Sequence, residues 1–268
     1  MKKIISAPYL LWMAVFIIVP LIMVAYFAVT TADGAFTLDY LKEALQHTDI
    51  FVRSIWLAAI STVICLVIAY PLSIILTKIK TDYQSTMLMI VMLPMWMNFL
   101  LRTYAWMTLL GNNGLINMFF GLFGLGPFKM LNTQGAVVLG MVYDYLPFMI
   151  LPIYNVLAKQ DKHIIDAARD LGCNARQTLW RVTIPLSIPG IMSGITMVFV
   201  PAISTFIISR MLGGGSNLLI GDLIEMQFLG NAYNPNLGAA MSLILMVIVF
   251  IIMTVLNGFD NEEDRVLM

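Results

Sequence analysis

The chain has 268 residues, of which 60% are hydrophobic and 11% charged, with a mean hydropathy of +0.88 and no formal net charge. A soluble domain carries roughly 25% charged residues, so this composition excludes a water-soluble globular protein and points to an integral membrane protein. Cys65 and Cys173 lie too far apart in expected depth to pair, and neither they nor His47 and His163 have neighbours at metal-ligand spacing, which excludes a disulfide scaffold and a metal centre.

A helix crosses the ~30 Å hydrocarbon layer with about 20 mostly apolar residues, because every backbone group must be bonded inside its own segment. Six stretches meet that requirement, approximately residues 8–30, 54–77, 83–110, 135–157, 182–209 and 237–256. The expected fold is therefore all-α, with six transmembrane helices. Lys2 and Lys3 precede the first stretch as in a signal peptide, but its run of about 22 residues is longer than a secretory apolar region and no small-residue cleavage site follows. It is read as a retained helix.

Six crossings put both termini on one side. That side holds Lys2, Lys3, Lys78, Lys80, Lys159, Lys162, Arg169, Arg176, Arg181 and Arg265, against Lys42, Arg53, Lys129 and Arg210 on the other, with Arg102 inside the third span. Ten basic residues against four make the terminus side cytoplasmic. The organisation follows: an N-terminal helix with its outer connection (1–53), a core (54–258) with a cytoplasmic loop at 159–181, and a tail (259–268) whose acidic residues read as a solvated end. The outer connections at 31–53, 111–134 and 210–236 are rich in Gly, Asn and aromatic residues and look ordered. The last contains "GGGSNLLIGDLIEMQFL", three glycines followed by an apolar run too short to cross, which fits a short re-entrant or interfacial helix over the outer mouth.

The cytoplasmic loop carries "DAARDLGCNARQTLWRVTIP", Asp166 to Pro185. Ile164, Ile165, Ala168 and Leu171 recur near helical spacing among charged residues, so a short amphipathic helix is expected. Gly172 can end it in the left-handed conformation, and Asn174 with Gln177 makes a capping box for a second helix starting at Ala175. The small residues Ala167 and Ala168 permit close approach. Such a bent two-helix knob suits insertion into another protein's groove; an interfacial helix anchored on anionic lipid by its arginines is the other reading.

The same stretch resembles the signature of binding-protein-dependent ABC importer permeases, E-A-A, three residues, G, nine residues, I-x-L-P. Asp166, Ala167, Ala168 and Gly172 fall on the E-A-A and G positions, and Val182, Ile184 and Pro185 on the I-x-L-P positions, with Asp for Glu, Val for Ile and Ile for Leu as departures. The resemblance implies a type I ABC importer transmembrane domain. Asp166, Ala167, Ala168, Arg169, Gly172, Asn174 and Pro185 would then belong to a coupling helix seated in the cleft of a cytoplasmic ATPase. The chain has no G-x-x-x-x-G-K-[ST] phosphate loop, so ATP and Mg are expected on that partner, with no cofactor and no catalytic residue on this chain. "YPLS" at 70–73, "YLPFMILPIYN" at 145–155, "IPLSIPG" at 184–190 and "SNLLIGDLIEMQFL" at 216–229 are similar to the spermidine/putrescine permeases of this family. That similarity implies a second, homologous permease subunit, two ATPase subunits and an external substrate-binding protein in a bacterial inner membrane. A homodimer stays open, as does another small solute, and no nucleic acid is expected.

A polyamine path would offer carboxylates, carbonyl oxygens and aromatic faces to a chain of ammonium groups. Asp144, between Tyr143 and Tyr145 in the fourth span, is an intramembrane carboxylate and hence a candidate. Arg102 lies at matched depth in the third span, so three readings stay open: a simple ion pair, substrate contact by Asp144, or a gate alternating between the two. Trp96, Asn98, Tyr104 and Trp106 of the third span are cavity candidates or interfacial anchors, and Ser204, Thr205 and Phe206 of the fifth are further candidates. Asp222 and Glu225, three apart on the short outer helix, either draw cations or are merely solvated. Pro185, Pro189 and Pro201 with Gly190 and Gly194 interrupt the fifth span as a static kink or a hinge. An ion-coupled carrier or membrane enzyme would call for several intramembrane carboxylates or a buried nucleophile with its base; only Asp144 is there, and no His lies within a span.

Overall fold

The computed structural model describes residues 11–31, 34–215, 217–230 and 233–266, with the side chains of Thr81, Lys162 and 257–266 outside the description. Lys2, Lys3 and the start of the first span lie outside the described residues, as do the side chains of the acidic tail and Arg265. Among the described residues the chain is helical, with one isolated β-bridge between Thr30 and Phe36.

The helices in chain order are α1 (Leu11–Ala28, π-wound over Ala14–Ile18), α2 (Asp39–Gln46), α3 (Thr48–Lys78), α4 (Thr81–Trp96), α5 (Phe99–Leu110), α6 (Leu115–Leu122), α7 (Gln134–Lys159), α8 (Lys162–Asp170), α9 (Ala175–Ser204, π-wound over Leu179–Thr183), α10 (Ile207–Gly213), α11 (Ile220–Leu229) and α12 (Pro235–Val266). Five of them, α1, α3, α7, α9 and α12, are each long and apolar enough to cross a membrane. A bent pair, Asp82–Trp96 with Phe99–Leu122 at 85°, is apolar enough in sum to make a sixth, as a broken span or a re-entrant loop.

The core is three helices deep, and the sequence shows why. On α3, Ser54, Ala58, Ser61, Cys65, Ala69 and Ser73 are all buried and recur every three or four residues, a stripe of small side chains down one face. That stripe lets α3 lie close on α7, where Ser61 Oγ meets Met141 Sδ at 3.3 Å, Cys65 Sγ the Val142 carbonyl at 3.7 Å and Ser73 Oγ donates to the Ile150 carbonyl at 3.3 Å. On the other side, α9 meets α7 through Gly190 and Gly194: a Cβ there would stand 2.9 Å from the Pro152 carbonyl oxygen and 2.6 Å from Met149 Sδ. With neighbours on both sides α7 is the most enclosed span, while α1 packs on α12 at the periphery.

Three expectations need correction. The third span is not one helix over 83–110. Pro94 lacks the amide needed to continue the ladder, Met97 and Asn98 are extended (ψ 148° and 129°), and the Asn98 side chain accepts from the Leu100 and Leu101 amides to start α5 afresh. The fifth span does not begin at Val182 or end at Ser209. It starts at Ala175, so the second helix of the loop is the first turn of the span, and it ends at Ser204, where extended Thr205 separates it from α10. Nor do Pro185 and Pro189 interrupt it: Ile184–Ser204 is one continuous helix, and the break follows Pro201 by four residues.

Candidate functional site

Arg102 of α5 and Asp144 of α7 are joined by an ion pair of 2.7 Å between Nε and Oδ1, with 8% and 2% of their side chains exposed. The same guanidinium donates through Nη1 to the Pro94 carbonyl at 2.8 Å, and its Cζ lies 5.7 Å from the Phe99 ring centroid and 5.9 Å from that of Tyr143. One side chain thus neutralises a buried carboxylate and satisfies an acceptor at the α4–α5 break. Of the three readings of the pair, direct ion pairing is the geometry present.

The neighbouring candidates divide. Trp106 stacks edge-on against Tyr143 (5.3 Å between centroids, 71° between planes), extending the cluster. Tyr145 faces the opposite helix and donates to the Pro201 carbonyl at 3.3 Å. Trp96 and Tyr104 are exposed at 73% and 56% and do not join Asp144. Asn98 serves the α5 cap rather than a cavity. Thr205 is buried and Phe206 half exposed at the α9–α10 break. Ser204 bonds back to the Val200 carbonyl at 3.1 Å and borders an apolar groove of ≈ 480 Å³ between α9, α11 and α12, shared with Ile224, Leu245 and Phe250.

A second charged cluster forms where α9 breaks. Asp222, expected either to draw cations or to be solvated, is fully buried: its Oδ2 accepts from the Leu219 amide at 2.8 Å, capping α11, and its Oδ1 lies 3.9 Å from Arg210 Nε. Glu225 sits one turn on and holds the Arg210 guanidinium from both ends, Oε1 at 3.1 Å from Nη1 and Oε2 against Nη2. That clasp holds the Glu225 carboxyl below its ordinary value, whereas burial pushes the Asp222 carboxyl up. The Arg210 guanidinium, half-exposed, is raised by the same bond to Glu225. Ile220 N donates to Ser54 Oγ at 2.8 Å, fixing the start of α11 to α3. Sequence reading counted Arg210 only as an outer charge; its partners twelve and fifteen residues downstream give no periodic signal. Ser54, the Gln84–Tyr154 bond (3.1 Å) and Tyr70–Ser187 (2.9 Å), which join different spans, left no mark in the sequence either.

The loop between α7 and α9 has the expected corner. Gly172 is left-handed (φ +89°), its amide donates to the Arg169 carbonyl at 2.8 Å, and the Cys173 amide donates to Ala168 at 3.1 Å. Asn174 and Gln177 exchange two hydrogen bonds of 2.9 Å, the complete capping box. Asp161, not noticed in the sequence, caps α8 by accepting from the His163 amide. Asp166, Ala167 and Arg169 are exposed, with Asp166 Oδ1 3.7 Å from Arg169 Nη1, while Ala168 is turned inward at 8%. Leu171 stands out at 87% exposed beside the glycine. Pro185 lies in the first turns of the α-helical part of α9, away from the corner.

Known proteins resemble this chain in sequence and in fold. The family model described as "binding-protein-dependent transport system inner membrane component" matches residues 2–261. The spermidine/putrescine transport system permease protein PotB of Haemophilus influenzae is 35% identical over 263 residues, 92% of each chain, and that of Escherichia coli K12 is 35% identical over 254 residues, 91% of this chain and 92% of the relative. Among solved structures, a bacterial ABC transporter that imports alginate superposes with a TM-score of 0.78 over 97% of this chain and 95% of its own, at 16% identity. The MetNI methionine transporter, inward-facing, gives 0.61 over 81% and 95% at 17% identity.

Proposed function

Because the chain belongs to the family of binding-protein-dependent transport system inner membrane components, we propose that it is one of two permease subunits of an ATP-driven polyamine importer. It is a multi-pass inner-membrane transport subunit, not an enzyme. The polyamine reading rests on one observation, the 35% identity to a spermidine/putrescine permease across 92% of both chains.

In this reading both termini face the cytoplasm, where the basic residues concentrate. A homologous permease completes the pore, an external binding protein delivers the cargo, and two ATPase subunits hold ATP and Mg. The exposed corner at Asp166–Asn174 enters a cleft on the ATPase, with Leu171 as its apolar tip and Ala167 allowing close approach. The rest of the loop is stiff, because the capping box joins it without a gap to α9. A push on the corner therefore acts directly on the helix that packs along α7 through Gly190 and Gly194, and alternating access follows from the tilt of that helix pair.

The test is transport by the reconstituted complex of this chain, its second permease, ATPase and binding protein in proteoliposomes. Uptake of labelled spermidine or putrescine that needs both ATP and the binding protein is the expected result. ATP-driven uptake of a different solute, with neither polyamine taken up, would overturn the cargo assignment and leave the importer.

A further inference from the structure

The cluster at the α9–α10 break has the composition of a cation site that already holds a cation of its own. Its two carboxylates, Asp222 and Glu225, are one helical turn apart on α11. The third contribution is backbone. Ser204 and Thr205 end α9, and the last carbonyls of a helix have no partners within it and carry its negative end. Gly221 lies so close to them that a Cβ there would be 2.5 Å from both oxygens, which brings Asp222, the next residue, up against the end of α9.

The buried carboxylate is not saturated by this arrangement. Asp222 Oδ1 is wholly buried with no close hydrogen bond among the described residues, and the groups facing the carboxyl are Arg210 Nε, 3.9 Å from Oδ1, and the Ser209 hydroxyl. Arg210 itself spends its two terminal nitrogens on Glu225 and keeps 46% of its side chain exposed. A guanidinium held by an accessible carboxylate can be exchanged for another cation arriving from solvent, whereas one buried against its partner, such as Arg102 on Asp144, cannot.

We propose that Arg210 is a tethered stand-in for an alkylammonium group: the cargo displaces its guanidinium from Glu225 and is passed to the unsatisfied oxygen of Asp222 beneath. The site would keep small inorganic cations out while no cargo is bound, because the resident guanidinium already occupies it. An ammonium at the end of a methylene chain competes better, since the groove of ≈ 480 Å³ lined by Ile224, Ser204, Leu245 and Phe250, reached from the same helix, gives its apolar part somewhere to lie. This inference rests on the polyamine reading and adds the residues that first receive the cargo.

The experiment uses the complete importer in lipid nanodiscs without its binding protein, with free spermidine as the probe and ATP hydrolysis and direct binding as readouts. Arg210→Met vacates the site, so spermidine should bind and stimulate hydrolysis at about tenfold lower concentration than in the unaltered complex. Adding Glu225→Gln should reverse that gain, and Arg210→Lys should behave as the unaltered complex does. Equal spermidine response in Arg210→Met and the unaltered complex overturns the proposal, as does a change confined to the affinity for the loaded binding protein, which would make Arg210 a docking contact. If Arg210→Met does not assemble, Glu225→Gln alone carries the test, with a severalfold rise in KM for import at unchanged binding-protein affinity expected and an unchanged KM overturning it. If the unaltered importer takes up no polyamine, the cargo assignment falls, while spermidine binding by Arg210→Met still reads the site separately.

Discussion

Arg102 and Asp144 approach to 2.7 Å in a setting where neither side chain is more than 8% exposed, and Arg102 reaches past its partner to the carbonyl of Pro94. A buried pair is worth little against an apolar replacement of both partners, but removing one leaves an uncompensated buried charge, at a cost of about 3–5 kcal/mol. Asp144→Asn should therefore lower the thermal stability of the purified complex sharply. Arg102→Met combined with Asp144→Asn should recover most of that loss, short of the hydrogen bond to Pro94, worth about 1 kcal/mol. A double variant that is stable and transports normally leaves the pair as a purely structural tie. A double variant that is stable but inactive in uptake, with hydrolysis no longer stimulated by loaded binding protein, would give Asp144 a part in transport.

The residues at that site explain what the sequence did and did not reveal. Asp144 was visible because a carboxylate inside a 26-residue apolar helix is rare enough to stand out, and Arg102 because its depth could be counted from the span's end. The bend that brings them together was not visible. Pro94 is one of 11 prolines, and Pro189 sits inside another apolar helix without breaking it. What differs is the Met97–Asn98 pair after Pro94, with an amide side chain free to cap a new helix. The Gly172 corner and the Asn174 box were readable because local backbone chemistry determines them. Arg210 with Asp222 and Glu225 was not, since that contact depends on where α10 and α11 fall after two breaks, which no local pattern encodes.

Gly172 is held at φ +89° with open space where a Cβ would go, so replacement there strains the backbone without creating a clash. Gly172→Val should cost roughly 1–2 kcal/mol locally and misplace Leu171 and the start of α9 relative to one another. The expected outcome is near-normal assembly with more ATP hydrolysed per spermidine imported, measured as a ratio in proteoliposomes. Gly172→Asn, which tolerates the left-handed region better, should lie between Val and the native residue. Unchanged coupling in Gly172→Val would count against the corner as the point where the ATPase acts.

Gly190, Gly194 and Gly221 differ in what a methyl group would meet. At Gly194 the nearest atom is Met149 Sδ, the movable part of a flexible side chain, at 2.6 Å, whereas at Gly221 it is backbone, the Ser204 and Thr205 oxygens at 2.5 Å. Gly190 lies between, facing the Pro152 oxygen and Val156 Cγ2, both at 2.9 Å. Alanine substitution should therefore destabilise in the order Gly221, then Gly190, then Gly194, with overpacking costs of about 1–3 kcal/mol at the upper end. Melting temperatures of the three purified variants would check the order. Gly221→Ala should also loosen Arg210 from Glu225, because α11 must move away from the end of α9.

Glu225 and Asp222 respond oppositely to acid. Arg210 holds the Glu225 carboxyl below its ordinary value of 4.5, so the clasp contributes fully above that pH and is lost only as pH falls through the lowered value. Burial raises Asp222 above its ordinary 3.8, so on acidification it takes up its proton before Glu225 does. Between those two protonations Arg210 should stay on Glu225 while the charge beneath it has gone, and the site then holds one ionised carboxylate in place of two. Spermidine binding to the unaltered complex should consequently weaken on acidification in a first step that belongs to Asp222 and a second, at lower pH, that belongs to Glu225. Asp222→Asn should remove the first step and leave the second. Because Glu225 is partly exposed, raising salt should weaken binding most where Glu225 alone carries the charge. A single step unaffected by Asp222→Asn would show that the buried carboxylate takes no part.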